Sequence, residues 1–471
     1  MMRVRKYWFV IAAALLVGGV PSIAAFASPP GMVRVVMAGD PGMSALTKAA
    51  VLKAGGLWVD DLDVLDGGVA DVPADAVGRL RATPGVQSVA VDTTVSLKSA
   101  VPLPQASASG SADSKVIRAA MNIEKDDTKA DGEGIDIALI DSGVAPVKGL
   151  EVKQLLFLSP TTGQLVPGSE AVYDKVGHGT HMAGLLIGKS GGVKGLARGS
   201  RVVSANVSDA QGRTSLSLIL RAIDATISNS QSNGLNIRVM VMAFGYPPDT
   251  IAGRLVMVAA ERAVASGIVV VAAAGNSGTT TGRLDAPAAS PVVLAVGAAD
   301  VLSGAPSVPA FSSRGTGRSP DLVAPGVGIL SIRDTGSFLD SEFPEARVSK
   351  ELFRGSGTSQ AAALVGGLVA MLLAELPDLT PSMVRARLEL TATPIPGVAT
   401  NEQGAGMVNY GDALDEDDVD FPVNAPTVLL RSGTAPAGEL DDPNAGDLNG
   451  TRWAGTRWAG TRWMGDGWTA A

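Results

Sequence analysis

Three apolar runs, at residues 135–140 (interrupted only by Asp136 near its start), 239–244 and 268–274, alternate with helical segments through the middle of the chain. A strand with one wet face alternates apolar and polar residues, so an unbroken run means that both faces are covered. Strands of that kind separated by helices build a parallel sheet between two helical layers. An α/β/α sandwich is therefore expected from residue 132 onward. The chain has 471 residues, room for two or three folded units. Aromatic residues are only 4% of it while Gly reaches 57, so the interior has to be packed from Val, Leu, Ile and Ala around closely approaching backbone.

Before residue 98 the pattern is different. A strand at 33–37, a helix at 44–54, strands near 58–65 and 69–72, a helix at 74–82 and a strand at 86–91 follow one another. This β-α-β-β-α-β order is that of a small ferredoxin-like α+β unit. Residues 98–115, with Ala-Ser-Ala-Ser-Gly-Ser at their centre, read as a linker. At the other end, Thr380-Pro381 has the N-cap and first-turn chemistry that opens a last helix at 383–390. The body closes near 404–414, and the acidic, Pro- and Gly-containing stretch 415–450 is expected to be disordered.

Arg3, Arg5 and Lys6 precede an apolar run at 7–20, followed by Pro21-Ser22 and Ala25-Phe26-Ala27. That layout predicts a secretory signal peptide over 1–27, cut after Ala27, with an uncleaved anchor as the alternative. The run is shorter than the ~20 residues that cross a bilayer, as is the run at 361–373, which reads as a buried helix. The formal net charge is −8, and removing 1–27 takes away three cations and no anion. Nucleic acid is thereby an unsuitable partner. Cys is absent, which excludes disulfides, Cys-bound zinc and a thiol nucleophile. His occurs twice, so any imidazole chemistry falls to His178 or His181.

Asp141 ends the first apolar run and is followed by Ser142-Gly143, at the sheet edge where open α/β folds bind ligands. Alone, it could equally be a turn-forming Asp. His178-Gly179-Thr180-His181-Met182-Ala183-Gly184 leads into an apolar helix. Two His at i and i+3 without a further His, Cys or suitably spaced Glu make a poor metal site. His178, at the helix start, is expected to face a cleft and His181, a turn deeper, to be a core residue; the reverse assignment is the alternative. Gly357-Thr358-Ser359 opens the helix that contains the 361–373 run. Ser359 is either a simple cap or an oxygen placed at the positive end of a helix, where charge developing on a carbonyl is favoured.

Taken together, Asp141, His178 and Ser359 with their flanks resemble the subtilisin-like serine proteases, whose triad occurs in this order. The resemblance runs from 132 to about 414 and includes Ala273-Ala274-Gly275-Asn276-Ser277-Gly278, Ala295-Val296-Gly297-Ala298, Phe311-Ser312-Ser313, Ala324-Pro325-Gly326-Val327 and Gly404-Ala405-Gly406-Met407-Val408-Asn409. It implies a subtilisin-type sandwich over 116–414, an Asp141-His178-Ser359 triad, Asn276 as oxyanion donor and Ala243, Phe244 and Gly245 as the stretch that pairs with substrate. It also implies that 28–97 is an inhibitory prodomain and that 98–115 is the processing linker. The implied activity is that of a secreted endopeptidase acting on polypeptides through an acyl-enzyme. No cofactor and no metal are expected.

The match departs from the family in three places. Gln360, Ala363 and Leu364 stand where the family has Met and a Pro-His pair, and Ala243-Phe244-Gly245-Tyr246 replaces a Ser-Leu-Gly-Gly run. Residues 188–198 carry Lys189, Lys194 and Arg198 but no carboxylate or Asn to serve the family's usual calcium loop. Two other readings of the chain are a peptide ligase using the same triad, suggested by Ala363, and an inactive surface-binding scaffold. The tail, 451–471, repeats Thr-Arg-Trp-Ala-Gly with four of the chain's six Trp. A period of five sets successive Trp about 140° apart on a helix, so no single buried stripe results. Trp beside Arg suits a glycan or a membrane interface, and retention at the cell surface is expected of this tail.

Overall fold

The computed structural model describes residues 28–92, 94–96, 110–123, 131–169, 172–415 and 462–463, with only the backbone of 94–96 and 462–463. The expected signal peptide and most of the expected linker and tail lie outside these residues.

The N-terminal unit comprises β1 (Met32–Gly39), α1 (Ser44–Lys53), β2 (Leu57–Leu62), β3 (Gly67–Pro73), α2 (Ala76–Arg81) and β4 (Val86–Val91). Its strands are antiparallel in the order β2-β3-β1-β4. The run at 58–65 is not all strand: β2 ends at Leu62, and Asp63–Leu65 forms a 3-10 turn closed by Asp66 at φ 48°. On one face Val35, Met37, Ala70, Val72 and Val89 pack with Val51 of α1 and with Ala76 and Leu80 of α2. The chain continues into β5 (Thr94–Ser96).

The body opens with α3 (Ser114–Ala120), capped by the Asp113 carboxylate, which accepts from the Lys115 and Val116 amides. Ile117 and Met121 bury that helix in the main core, so 110–115 pack as part of the body. Then come β6 (Asp136–Asp141), β7 (Leu155–Ser159), β8 (Gln164–Val166), α4 (His178–Ile187), the hairpin of β9 (Lys189–Ser190) and β10 (Val193–Lys194), β11 (Arg201–Asn206) and β12 (Arg213–Ser215). They are followed by α5 (Leu216–Asn229), β13 (Ile237–Met242), α6 (Ile251–Ala265), β14 (Val269–Ala273), β15 (Leu294–Ala299) and β16 (Leu322–Pro325). Among the described residues the large sheet has eight strands in the order β16-β15-β14-β13-β6-β11-β7-β8, parallel except for the edge strand β8.

The chain ends with β17 (Ile329–Ile332), α7 (Phe338–Glu342), β18 (Leu352–Ser356), α8 (Thr358–Glu375), α9 (Pro381–Thr391), α10 (Thr400–Gln403), α11 (Tyr410–Asp415) and β19 (Arg462–Trp463). The Thr380 hydroxyl accepts from the Met383 amide and Pro381 takes the first turn of α9, the capping expected from sequence.

The reason for the unbroken apolar runs is visible in how their residues divide. Ile137, Leu139, Val239 and Val241 join the core beneath α4 and α8, whereas Ala138, Ile140, Met240 and Met242 join the core beneath α5 and α6. Successive side chains of a strand point to opposite faces, so a central strand needs apolar residues at every position. Although α8 is long and apolar enough to cross a membrane, it is buried inside this sandwich.

The outer face of α5 and α6 receives the N-terminal unit. Val36, Ala38, Val69 and Ala90, the alternate residues of its sheet, enter the same core as Ile219, Ile223, Val256 and Ala259. Polar contacts rim the seam: Arg221 pairs with Asp60 at 3.3 Å and Arg262 with Asp66 at 3.0 Å. The Asp92 carboxylate accepts from the Ser217 amide at the start of α5, an anion at a helix N-terminus. The Val64 amide donates to Asp224 of α5 at 2.7 Å. Beyond the seam, β5 pairs antiparallel with β12.

Burial at this seam pushes the Asp224 carboxyl up to about 6; the Val64 amide opposes the shift, while the charges of Asp63 and Asp60 add to it. A group whose pKa is raised by docking favours the docked state below its ordinary value and loses that contribution as pH rises through the raised one. Docking of the N-terminal unit should therefore weaken between about pH 4 and 6, by about 10- to 100-fold, and level off above. Hydrogen-exchange protection of the Val64 region in the full chain measures this; Asp224→Asn should flatten the profile, and an unchanged profile in that variant would refute the assignment.

Candidate active site

The carboxyl ends of β6 and its neighbours β11 and β13 form one edge of the sheet, and Asp141 is the last residue of β6. Its side chain is fully buried. A buried carboxylate has to be met by donors. Asp141 Oδ1 accepts from the Ser142 amide at 2.7 Å and the Ser142 hydroxyl at 3.2 Å. His178 Nδ1 lies 2.8 Å from Oδ1 and 3.0 Å from Oδ2. An imidazole nitrogen facing a carboxylate carries the proton, which leaves Nε2 as the basic nitrogen of the ring.

His178 is the first residue of α4, and two features bring that helix end so close to β6. A Cβ at Gly179 would sit 2.0 Å from the Gly143 carbonyl oxygen and 3.0 Å from Asp141 Oδ1, so only glycine fits after His178. The second is Asp174, which sequence reasoning did not single out. Its Oδ1 accepts from the Val176 and Gly177 amides, and its Oδ2 from the Thr180 amide and hydroxyl, at 2.8–2.9 Å. These bonds tie down the first turn of α4. Burial pushes the Asp174 carboxyl up, and the nearby Asp141 charge adds to this, against the bonds that favour the ionised form. The signal available in sequence was an Asp ahead of a glycine and a Thr at a helix start, the chemistry of a cap.

His181 is fully buried a turn further along α4. Burial drives its pKa well below the usual imidazole value, with the neighbouring His178 adding to the effect. It stays neutral in the core, as expected of the second His.

Ser359 lies in the first turn of α8, which packs against α4. Its hydroxyl donates to the Ala243 carbonyl at 2.9 Å. Ala243, Phe244 and Gly245 leave the carboxyl end of β13, and Tyr246 then forms an antiparallel bridge with Ala286. A Cβ at Gly245 would lie 2.4 Å from that of Asp285, so this segment has no space for a side chain there. Asn276 follows β14, and its amide oxygen accepts from the Thr358 amide and hydroxyl, both at 3.0 Å. With the oxygen so engaged, the NH2 group is turned away from Thr358. Thr358 is thus a second positioning residue that sequence reasoning missed; its hydroxyl also accepts from the Gly275 amide.

The structure therefore brings Asp141 to His178, and Ser359 to the segment 243–245, with Asn276 hydrogen-bonded to the residue beside Ser359. Residues 188–198, where no calcium loop was expected, form the β9–β10 hairpin. Among the described residues no group of three or more His, Asp or Glu side chains is placed to hold a metal ion.

A family model described as the subtilase family, peptidase S8, matches residues 132–409. The chain belongs to that family. Serine protease AprX of Bacillus subtilis is 33% identical over 294 residues, covering 59% of this chain and 65% of AprX. Subtilisin of Bacillus pumilus is 34% identical over 284 residues, covering 59% of this chain and 90% of that one. The chain thus spans just under two thirds of AprX. Among solved structures, fervidolysin of Fervidobacterium pennivorans, a keratinolytic enzyme related to subtilisin, aligns with a TM-score of 0.65 at 22% identity over 83% of this chain and 62% of its own. This likeness is one of fold. The matched subtilase domain is preceded by a small N-terminal antiparallel sheet.

Gln360 distinguishes this site. It is fully buried directly after Ser359, and neither atom of its amide has a hydrogen-bond partner among the described residues. An unmatched buried amide costs about 1–3 kcal/mol. Gln360→Met, close in volume and without the amide, should raise stability by about 1 kcal/mol, a Tm increase of about 1–2 °C in calorimetry. A lowered Tm would show that the amide is satisfied.

Proposed function

We propose that this subtilase is a secreted serine endopeptidase made as a self-processing precursor, with Asp141, His178 and Ser359 as its triad. The observation that carries the reading is the His178 Nδ1 contact to the buried Asp141 carboxylate, on a helix packed beside the one that starts with Ser359. Ser359 Oγ attacks the scissile carbonyl carbon while His178 Nε2 takes its proton, and Asp141 holds the ring and stabilises the imidazolium. The oxyanion is met by the Asn276 NH2 and by the Ser359 amide, placed in the first turn of α8 at the positive end of that helix. His178 then gives the proton to the departing amine, and water hydrolyses the acyl-enzyme by the same steps in reverse roles. Ala243, Phe244 and Gly245 offer main-chain groups to an extended substrate, which explains how the family's side chains can be exchanged here.

Residues 28–97 act in this reading as the inhibitor of the body they dock on, and cleavage falls within 98–115. What supports this is the continuous core shared with α5 and α6 and the antiparallel pairing of β5 with β12. Ser359→Ala, His178→Ala and Asp141→Asn should each lower peptide hydrolysis by at least about 10³-fold, the scale on which triads of this family act. Their combination should be little worse. Ser359→Ala should also accumulate uncut and lose labelling by an active-site fluorophosphonate. Near-normal turnover in His178→Ala would sink the triad, and a wild type that is neither labelled nor active would point to the scaffold reading.

Export rests on the layout of residues 1–27, and the Trp-Arg tail is the proposed contact with a cell-surface glycan or membrane interface. Substituting Trp453, Trp458, Trp463 and Trp468 together by Ala should move the protein from the cell fraction to the medium. Equal partition of variant and wild type would remove the anchoring role.

A further inference from the structure

The Thr-Arg-Trp repeat also has a place in the fold, and it is not a remote one. Its third copy contributes β19, whose Arg462 and Trp463 pair antiparallel with Ser356 and Gly355 of β18. The opposite edge of β18 is taken by β17 over Leu352 to Gly355, and Arg347 bridges Phe353 at the start of the strand. The tail therefore meets β18 at its last two residues. Ser356 is three residues before Ser359, so this strand end is within about 10 Å of the nucleophile and a chain paired to it within about 15 Å.

The edge is rigid. The Gly328 amide donates to Ser356 Oγ at 2.8 Å, the Gly357 amide donates to the Gly326 carbonyl at 2.8 Å, and Thr358 is held by Asn276. A fixed strand end that leads into the nucleophile is a site where an extended peptide can add by main-chain bonds.

We propose that the C-terminal repeat is an intramolecular ligand of this edge: one Arg-Trp pair at a time adds as a strand to Gly355 and Ser356 and competes there with polypeptide substrate. This rests on the reading of Ser359 as the nucleophile. Strand addition reads the backbone, so the three copies, Arg452-Trp453, Arg457-Trp458 and Arg462-Trp463, are interchangeable occupants. The 46 residues between Asp415 and Arg462 make reach no obstacle. A tether of this kind supplies an effective concentration of about 1 mM. Against a dissociation constant of about 0.1–1 mM for one strand, the tail raises the apparent KM about 2- to 11-fold at constant kcat.

The test uses the self-processed full chain in three forms: wild type, Pro at both residues of all three Arg-Trp pairs, and Ala at the same six positions. Proline removes the N–H groups that a strand must offer, whereas alanine keeps the main chain intact. Fluorophosphonate titration counts active sites first, so failure of the nucleophile reading is seen separately from failure of this one. With a peptide substrate extending on both sides of the scissile bond, the Pro form should show an apparent KM 2- to 11-fold below wild type, and the Ala form should match wild type. A synthetic peptide of residues 451–465 should inhibit the Pro form competitively at millimolar concentration. Equal KM in all three labelled enzymes overturns the proposal, and so does an equal drop in the Pro and Ala forms, which would assign the effect to side chains.

Discussion

The burial of the Asp141 carboxylate is the constraint around which the peptidase body is arranged. A charge without solvent access at the end of a central strand is tolerated only where donors converge on it, and here they are the Ser142 amide, the Ser142 hydroxyl and His178. Meeting that demand requires the start of α4 to approach β6 to backbone contact, hence Gly179. It also requires the first turn of α4 to be fixed, hence Asp174. The helix that results is buried along its whole length, and α8 packs beside it with Ser359 in its own first turn. The geometry of the candidate site and the packing of the core are thus the same set of contacts, seen from two sides of the sheet edge.

The α/β/α layering was legible because each unbroken run divides residue by residue between two cores, a pattern that only a doubly covered strand produces. Capping chemistry fixed the start of α9, where Thr380 and Pro381 do locally what the helix needs. The boundary at 58–65 was less legible, since Val64 and Leu65 are apolar for a different reason: they leave the strand in a tight turn and bury against α5 and α6. Docking between sequence-distant units has no local periodicity to announce it. The same holds for the start of α3, whose Ser114 and Lys115 were read as the end of the linker because a seven-residue helix with a single Asp cap leaves little pattern.

Within the site, Asp141, His178 and Ser359 stood out by their flanks and by the scarcity of imidazole in this chain. Asp174 and Thr358 did not, because their work is done through backbone amides and through the orientation of another side chain. A residue that holds Asn276 by its oxygen, so that the nitrogen faces elsewhere, has no signature beyond its place before a serine. Gln360 is the converse case: its sequence position marked it as a departure, and the structure adds that its amide is buried without a partner among the described residues.

Both ends of the chain return to the body in the same way. β5, after the N-terminal unit, pairs with β12, and β19, in the tail, pairs with the end of β18. Under the proposed endopeptidase reading, substrate is met by main-chain groups, which any extended chain can match. Edges with that property also accept the enzyme's own chain, and a covalently attached segment has the advantage of concentration. The N-terminal unit adds to its strand a shared apolar core and ion pairs along the seam, the contacts that the proposed inhibitory role would use. The tail pairs with β18 over two residues, and under the proposal a repeated short motif suits a contact that is made and released without cleavage. The asymmetry between the two ends follows from what accompanies each strand, since the pairing itself is of one kind.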